Sequence, residues 1–204
     1  MVFADISNLK FKISNPDRGI TLVEVIVVIL IITIFSTILI SDFPKIKRQF
    51  ALSRSVYKLA QDLRRAQDMA LSGLQITDEG GQVILAKGYG IYINPFADSK
   101  GYILYADSNQ PADSEFTPVS GGEAGDYIVE NIQTTIESPD VYIKEVRNID
   151  GDWTSINFDP PNPNIVIANL LDGKSGIDIV FGLESDSSAE RIISVNKRGL
   201  IEVK

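Results

Sequence analysis

Few side chains in this sequence could do chemistry, and the most conspicuous is a carboxylate. Glu24 is the only charge in an apolar run over residues 20–40, whose other polar groups are the hydroxyls of Thr21, Thr33, Ser36 and Thr37. As a helix the run would reach about 30 Å at ~1.5 Å per residue, the thickness of a bilayer's hydrocarbon core. Hydroxyls can bond back to a carbonyl one turn earlier and cost little in lipid. A carboxylate costs roughly 2.5 kcal/mol or more there, so Glu24 needs a partner.

A second set of candidates lies in "ADSNQPADSE" (106–115), where Asp107, Asn109, Asp113 and Glu115 offer oxygen donors of the kind calcium takes. Pro111 stands where an EF-hand would place its third ligand, and no glycine follows it. The segment therefore reads as a solvated acidic loop with these four residues as weak metal candidates, and no metal or other cofactor is expected. Catalysis finds little support. There is no histidine and no cysteine, which removes the usual general base and the strongest nucleophile. No Gly-x-Ser-x-Gly elbow and no phosphate-cradling loop is present, and "KGYGIY" (87–92) reads as a strand with small residues. The chain is not expected to be an enzyme.

The elements around Glu24 come next. Residues 1–19 carry Lys10, Lys12 and Arg18 and end in "NPDRG", a turn-forming cluster. A secretory signal has a basic leader, an apolar run of about 7 to 15 residues, and small residues at the cut beyond that run. Here the small residue, Gly19, lies between leader and run, and the run is too long. A cut at Gly19 would remove the basic leader and leave the apolar helix on the mature chain. Basic residues also follow the run at Lys45, Lys47, Arg48 and Arg54, so the positive-inside rule is close to neutral on orientation.

The residues "GITLVEVIVVILII" resemble the processing signal of type IV pilins and of the pseudopilins of type II secretion. That resemblance implies cleavage by a prepilin peptidase after Gly19, N-methylation of Ile20, and a role for Glu24 in assembly. In the family this acid compensates the N-terminal amine of a neighbouring subunit, and two charges costly alone are tolerable as a pair. The resemblance also implies an N-terminus in the cytoplasm, a single pass through the inner membrane, and later placement in a cell-surface or periplasmic filament. Its partners would be the peptidase, other pilin or pseudopilin subunits and an inner-membrane assembly platform. Many pilins carry a glycine and a proline within the stem. Here Thr33 sits near the usual glycine position and the first proline is Pro44, where a helix kink is expected.

Four segments follow: a cleaved leader (1–19), a transmembrane and filament-core helix (20–44), an amphipathic helix (45–73) and a β-rich domain (74–204). In the third, Leu52, Val56, Leu59, Leu63, Ala66 and Ala70 form one apolar stripe, and Gly73 offers a C-cap. Arg54, Lys58, Asp62, Arg64, Arg65 and Asp68 are expected to lie largely away from that stripe.

Beyond Gly73 the period switches to two. Strands are expected at 82–94, 101–107, 126–137, 141–147, 153–159, 164–169, 176–182, 190–196 and 199–203, with "NKRG" (196–199) turning a final hairpin and "SGGEAG" (120–125) as a flexible connection. The fold class is α+β, a long helix packed on an antiparallel sheet or sandwich. This order resembles the GspH/FimT group of minor pilins, carried mainly by "LAQDLRRAQDMAL" and the closing hairpin.

Net charge is −8, which argues against a nucleic-acid partner, with Lys197, Arg198 and Lys204 the only basic candidates near the C-terminus. The absence of cysteine removes the C-terminal disulfide loop of many major pilins. Trp153 and Tyr89, Tyr92, Tyr102, Tyr105, Tyr127 and Tyr142 could line a binding face, but most lie inside expected strands, where packing is the commoner explanation. The competing class is a membrane-anchored β-domain that never polymerises and acts as a binding module.

Overall fold

The computed structural model describes residues 19–77, 80–109, 113–118, 125–136, 139–160 and 164–204. The leader with Lys10, Lys12 and Arg18, residues 110–112 of the acidic loop and most of "SGGEAG" lie outside the described residues. The chain divides into two units, Met1–Phe43 and Pro44–Lys204.

One 51-residue helix, α1 (Leu22–Ser72), contributes to both units. It begins two residues after Ile20 because Thr21 caps it: the Thr21 hydroxyl accepts the Glu24 N–H at 3.2 Å. It ends at Gly73, whose φ of 57° suits glycine, and the bonds Gly73 N–H to Ala70 O (3.1 Å) and Leu74 N–H to Met69 O (3.1 Å) form a Schellman motif.

Within the second unit the expected stripe is the buried one: Leu52, Val56, Leu59, Leu63, Ala66 and Ala70 all enter the core. Each fully buried Leu or Val contributes on the order of 1.5–3 kcal/mol. Asp62 departs from expectation. It is buried, and its Oδ2 accepts the Tyr102 hydroxyl at 2.6 Å and Lys58 Nζ at 3.2 Å. Burial first, then Asp62, raises the Tyr102 pKa above its ordinary value.

Among the described residues eleven strands follow: β1 (Ile76–Thr77), β2 (Val83–Ile84), β3 (Gly88–Ile93), β4 (Gly101–Asp107), β5 (Tyr127–Gln133), β6 (Val141–Arg147), β7 (Thr154–Asp159), β8 (Asn164–Ile167), β9 (Gly176–Leu183), β10 (Asp186–Asn196) and β11 (Ile201–Val203). The expected strand 82–94 is split into β2 and β3, and that at 126–137 ends in a 3-10 turn, Thr134–Ile136. β1 with β2 makes a two-stranded ribbon; the other sheets are antiparallel, ordered β11-β10-β9-β6 and β5-β4-β3-β7-β8. The last hairpin turns at Asn196, whose side chain accepts the N–H groups of Arg198 (2.9 Å) and Leu200 (3.1 Å), with Gly199 at φ 84°.

The two faces of the five-stranded sheet differ. Tyr89, Ile91, Ile93, Tyr102, Leu104, Ile156 and Phe158 join the same core as the helix stripe. The alternate residues, Tyr105, Asp107, Ser155 and Asn157, are also fully buried, yet mostly polar. They lie under residues of the β4–β5 connection, where Phe116 packs on Tyr105 and Tyr92 at ring separations of 5.2 and 4.5 Å.

Candidate assembly site

The first candidate site is the start of α1. Gly19 and Ile20 are exposed and precede the helix, and Glu24 lies in its first turn. An acid there complements the helix dipole, so Glu24 has a local role as well as any partner. Thr21 and Glu24 have the Thr-x-x-Glu spacing of a capping box, a signal readable from sequence but not used in the expectations above. From Thr21 to Ile40 every side chain is exposed. The helix is long and apolar enough to cross a membrane, and none of its most apolar window is buried. The hydroxyls behave as expected: Thr33 donates to Ile29 O at 2.7 Å and Thr37 to Thr33 O at 2.8 Å. Pro44 lies inside α1, which continues across it to Ser72.

The second candidate is the acidic segment 106–115. It is not a solvated loop at its described ends: Asp107, Asn109 and Ser114 are buried. Asp107 Oδ2 accepts the Ser114 N–H at 3.0 Å, and Asp126 accepts the N–H groups of Ser108 (2.9 Å), Asn109 (3.1 Å) and Thr117 (2.8 Å). Asp113 stays exposed and accepts the Glu115 N–H at 3.1 Å. So Asp107 and Asn109 turn inward, while Asp113 and Glu115 do not follow them. Among the described residues no trio of His, Cys, Asp or Glu is arranged to hold a metal ion.

Electrostatics set this layer apart. Burial, and then the neighbouring charge of Asp126, pushes the Asp107 carboxyl up to about 6 against the N–H of Ser114 and the ammonium of Lys87. Burial also raises Asp126, opposed by its three backbone donors. Sequence reasoning missed Ser155, Asn157 and Asp159. On strand alternation alone they face solvent, and only the covering connection makes Ser155 and Asn157 interior and leaves Asp159 half-buried.

Of the remaining candidates, Lys197, Arg198 and Lys204 are all exposed. Tyr89, Tyr102 and Tyr105 are buried, as packing residues should be, whereas Tyr92, Tyr127, Tyr142 and Trp153 are half-buried.

Residues 14–40 match the family model of the prokaryotic N-terminal methylation motif. A solved structure, the type IV minor pilin FimU of Pseudomonas aeruginosa (strain PAO1), aligns with a TM-score of 0.45 at 13% identity, covering 78% of this chain and 92% of that chain. No curated protein matches the chain.

Proposed function

We propose that this chain, type IV pilin-like through its methylation motif at residues 14–40, is a structural subunit of a type IV pilus or type II secretion pseudopilus. The observation that carries the reading is the stem. An apolar helix with every described side chain exposed follows a glycine and holds one carboxylate in its first turn. A bilayer core would cover the apolar surface, and the carboxylate would remain costly until paired.

Assembly then follows from the physics of that pair. The subunit waits in the inner membrane with its N-terminus in the cytoplasm. Prepilin peptidase cuts after Gly19 and methylates the amine of Ile20. In the filament the ammonium of one subunit's Ile20 meets Glu24 of a neighbour, in surroundings where a mismatch leaves a charge unpaired. Apolar stems exchange lipid for one another, so the net gain comes from packing and from this pair. The inner-membrane platform drives subunit entry, and Pro44, which lacks an amide donor, is where the helix would bend. The β-domain presents its surface outward for adhesion or secretion, with nucleic acid disfavoured by the charge of −8.

Co-expression with a prepilin peptidase tests the processing step. The chain should lose its leader in membranes only when the peptidase is present, and Gly19→Leu should block the loss. Full retention of the leader beside an active peptidase would refute the reading.

A further inference from the structure

Four polar atoms in the layer beneath the β4–β5 connection have no hydrogen-bond partner among the described residues: the hydroxyl of Tyr105 and three acceptor oxygens, Asp107 Oδ1, Asn109 Oδ1 and Asn157 Oδ1, each with under 1 Å² of exposed surface. Asp107 and Asn157 are fully buried, and Asn109 is 7% exposed. Buried polar atoms are otherwise nearly always satisfied, so these acceptors call for a partner.

The Asn157 amide orientation is pinned by its neighbour. Asn157 Nδ2 donates to Asp159 Oδ1 at 2.7 Å, and a carboxylate only accepts, so Asn157 Oδ1 is the oxygen left over. Asn109 Nδ2 donates to Thr117 Oγ1 at 3.0 Å, and the Thr117 hydroxyl in turn is directed at Asp113 Oδ2 at 3.5 Å. Gly88 explains how the strands' side chains share this space. It pairs with Asp107 across the sheet, and a Cβ there would lie 2.6 Å from Asp159 Oδ1 and 2.8 Å from Asn157 Nδ2.

Charge decides the partner. Asp107, Asp113, Asp126 and Asp159 are linked through Ser114 and Thr117, since Ser114 donates from its N–H to Asp107 and from its hydroxyl to Asp159 at 2.8 Å. Lys87, which donates to Ser114 Oγ at 3.1 Å, supplies one positive charge against these four carboxylates. Water molecules could donate to these acceptors but would not offset the charge. A hard cation satisfies the acceptors and offsets the charge.

We propose that this layer is a divalent-cation site in which Asp107 Oδ1, Asn109 Oδ1 and Asn157 Oδ1 are the protein ligands and water completes the shell. One carboxylate and two amide carbonyls, spread over two strands and the connection, suit calcium better than magnesium, which demands a tight octahedron. Bound there, the cation would tie the connection onto the outer face of the sheet. This role belongs to the β-domain and is independent of whether the stem polymerises.

Thermal unfolding of the full chain in detergent micelles, in EDTA and in calcium chloride, tests it, with terbium luminescence excited through the tyrosines as a second reading. At a hundredfold excess over Kd, calcium should raise Tm by about 5–10 °C. Terbium should bind with sensitised emission and be displaced by calcium. Asp107→Asn should abolish both effects. Asn109→Ala, which keeps the carboxylates, should weaken both at least tenfold and guards against a folding failure of the first variant. An unchanged Tm with no terbium signal would overturn the site, and so would a calcium effect that survives both substitutions.

Discussion

The two stretches of α1 obey different solvents. From Leu22 to Phe43 the helix is apolar on all sides and every described side chain is exposed; from Leu52 onward a stripe is buried together with Ser55, Ala60, Asp62 and Met69, and the opposite face is open to water. Exposed apolar side chains are costly in water, so under the proposed function the first stretch would draw its stabilising partners from lipid or from other stems. The second is stabilised from within, by its own sheets. A single secondary structure thus carries two kinds of dependence, and a substitution's consequence follows from which kind it touches.

The sharpest break between them is at Glu24. Glu24→Ala should abolish filaments visible by electron microscopy while the Tm of the β-domain stays within experimental error, because no described core contact involves it. Filaments at normal number would remove the pairing mechanism. In the second stretch, Leu63→Ala should destabilise the domain by about 2–5 kcal/mol, read by denaturant unfolding, since the site is fully buried and leaves a cavity. Membrane insertion of the stem should be unchanged. Tyr102→Phe is smaller. It removes one partner from buried Asp62, leaving Lys58, and should cost about 1–3 kcal/mol. Arg65→Ala sits at the bottom of the scale. Its bond to Glu130 (2.6 Å) joins two half-exposed side chains, so the loss should stay within about 1 kcal/mol and shrink further in high salt.

How much of this was legible differs between the same regions. The stem is legible because its signal is local: length, apolarity, one acid and one glycine. The stripe, the Gly73 cap and the final hairpin were legible for the same reason, each resting on residues within a few positions of one another. Asp62 was not. Its burial depends on a tyrosine hydroxyl 40 residues further on, and no helical pattern announces that. Ser155, Asn157 and Asp159 alternate with Thr154, Ile156 and Phe158 as a solvent-facing row should, yet Phe116 and its neighbours cover them. Strand alternation reports which face a residue takes, not what lies over that face. β10 was underestimated because its first residues, "DSSAE", have poor strand propensity. They are extended beside β9 by the ladder that forms downstream, with a shift in register between Asp186 and Glu190.

The central claim is that the stem is exposed after processing and pairs through Glu24. It is tested most directly by intact mass and N-terminal sequencing of the chain purified from native membranes or filaments. The account predicts a chain that starts at N-methylated Ile20. A chain that still starts at Met1, in cells with an active prepilin peptidase, would contradict it and leave a membrane-anchored β-domain that does not polymerise.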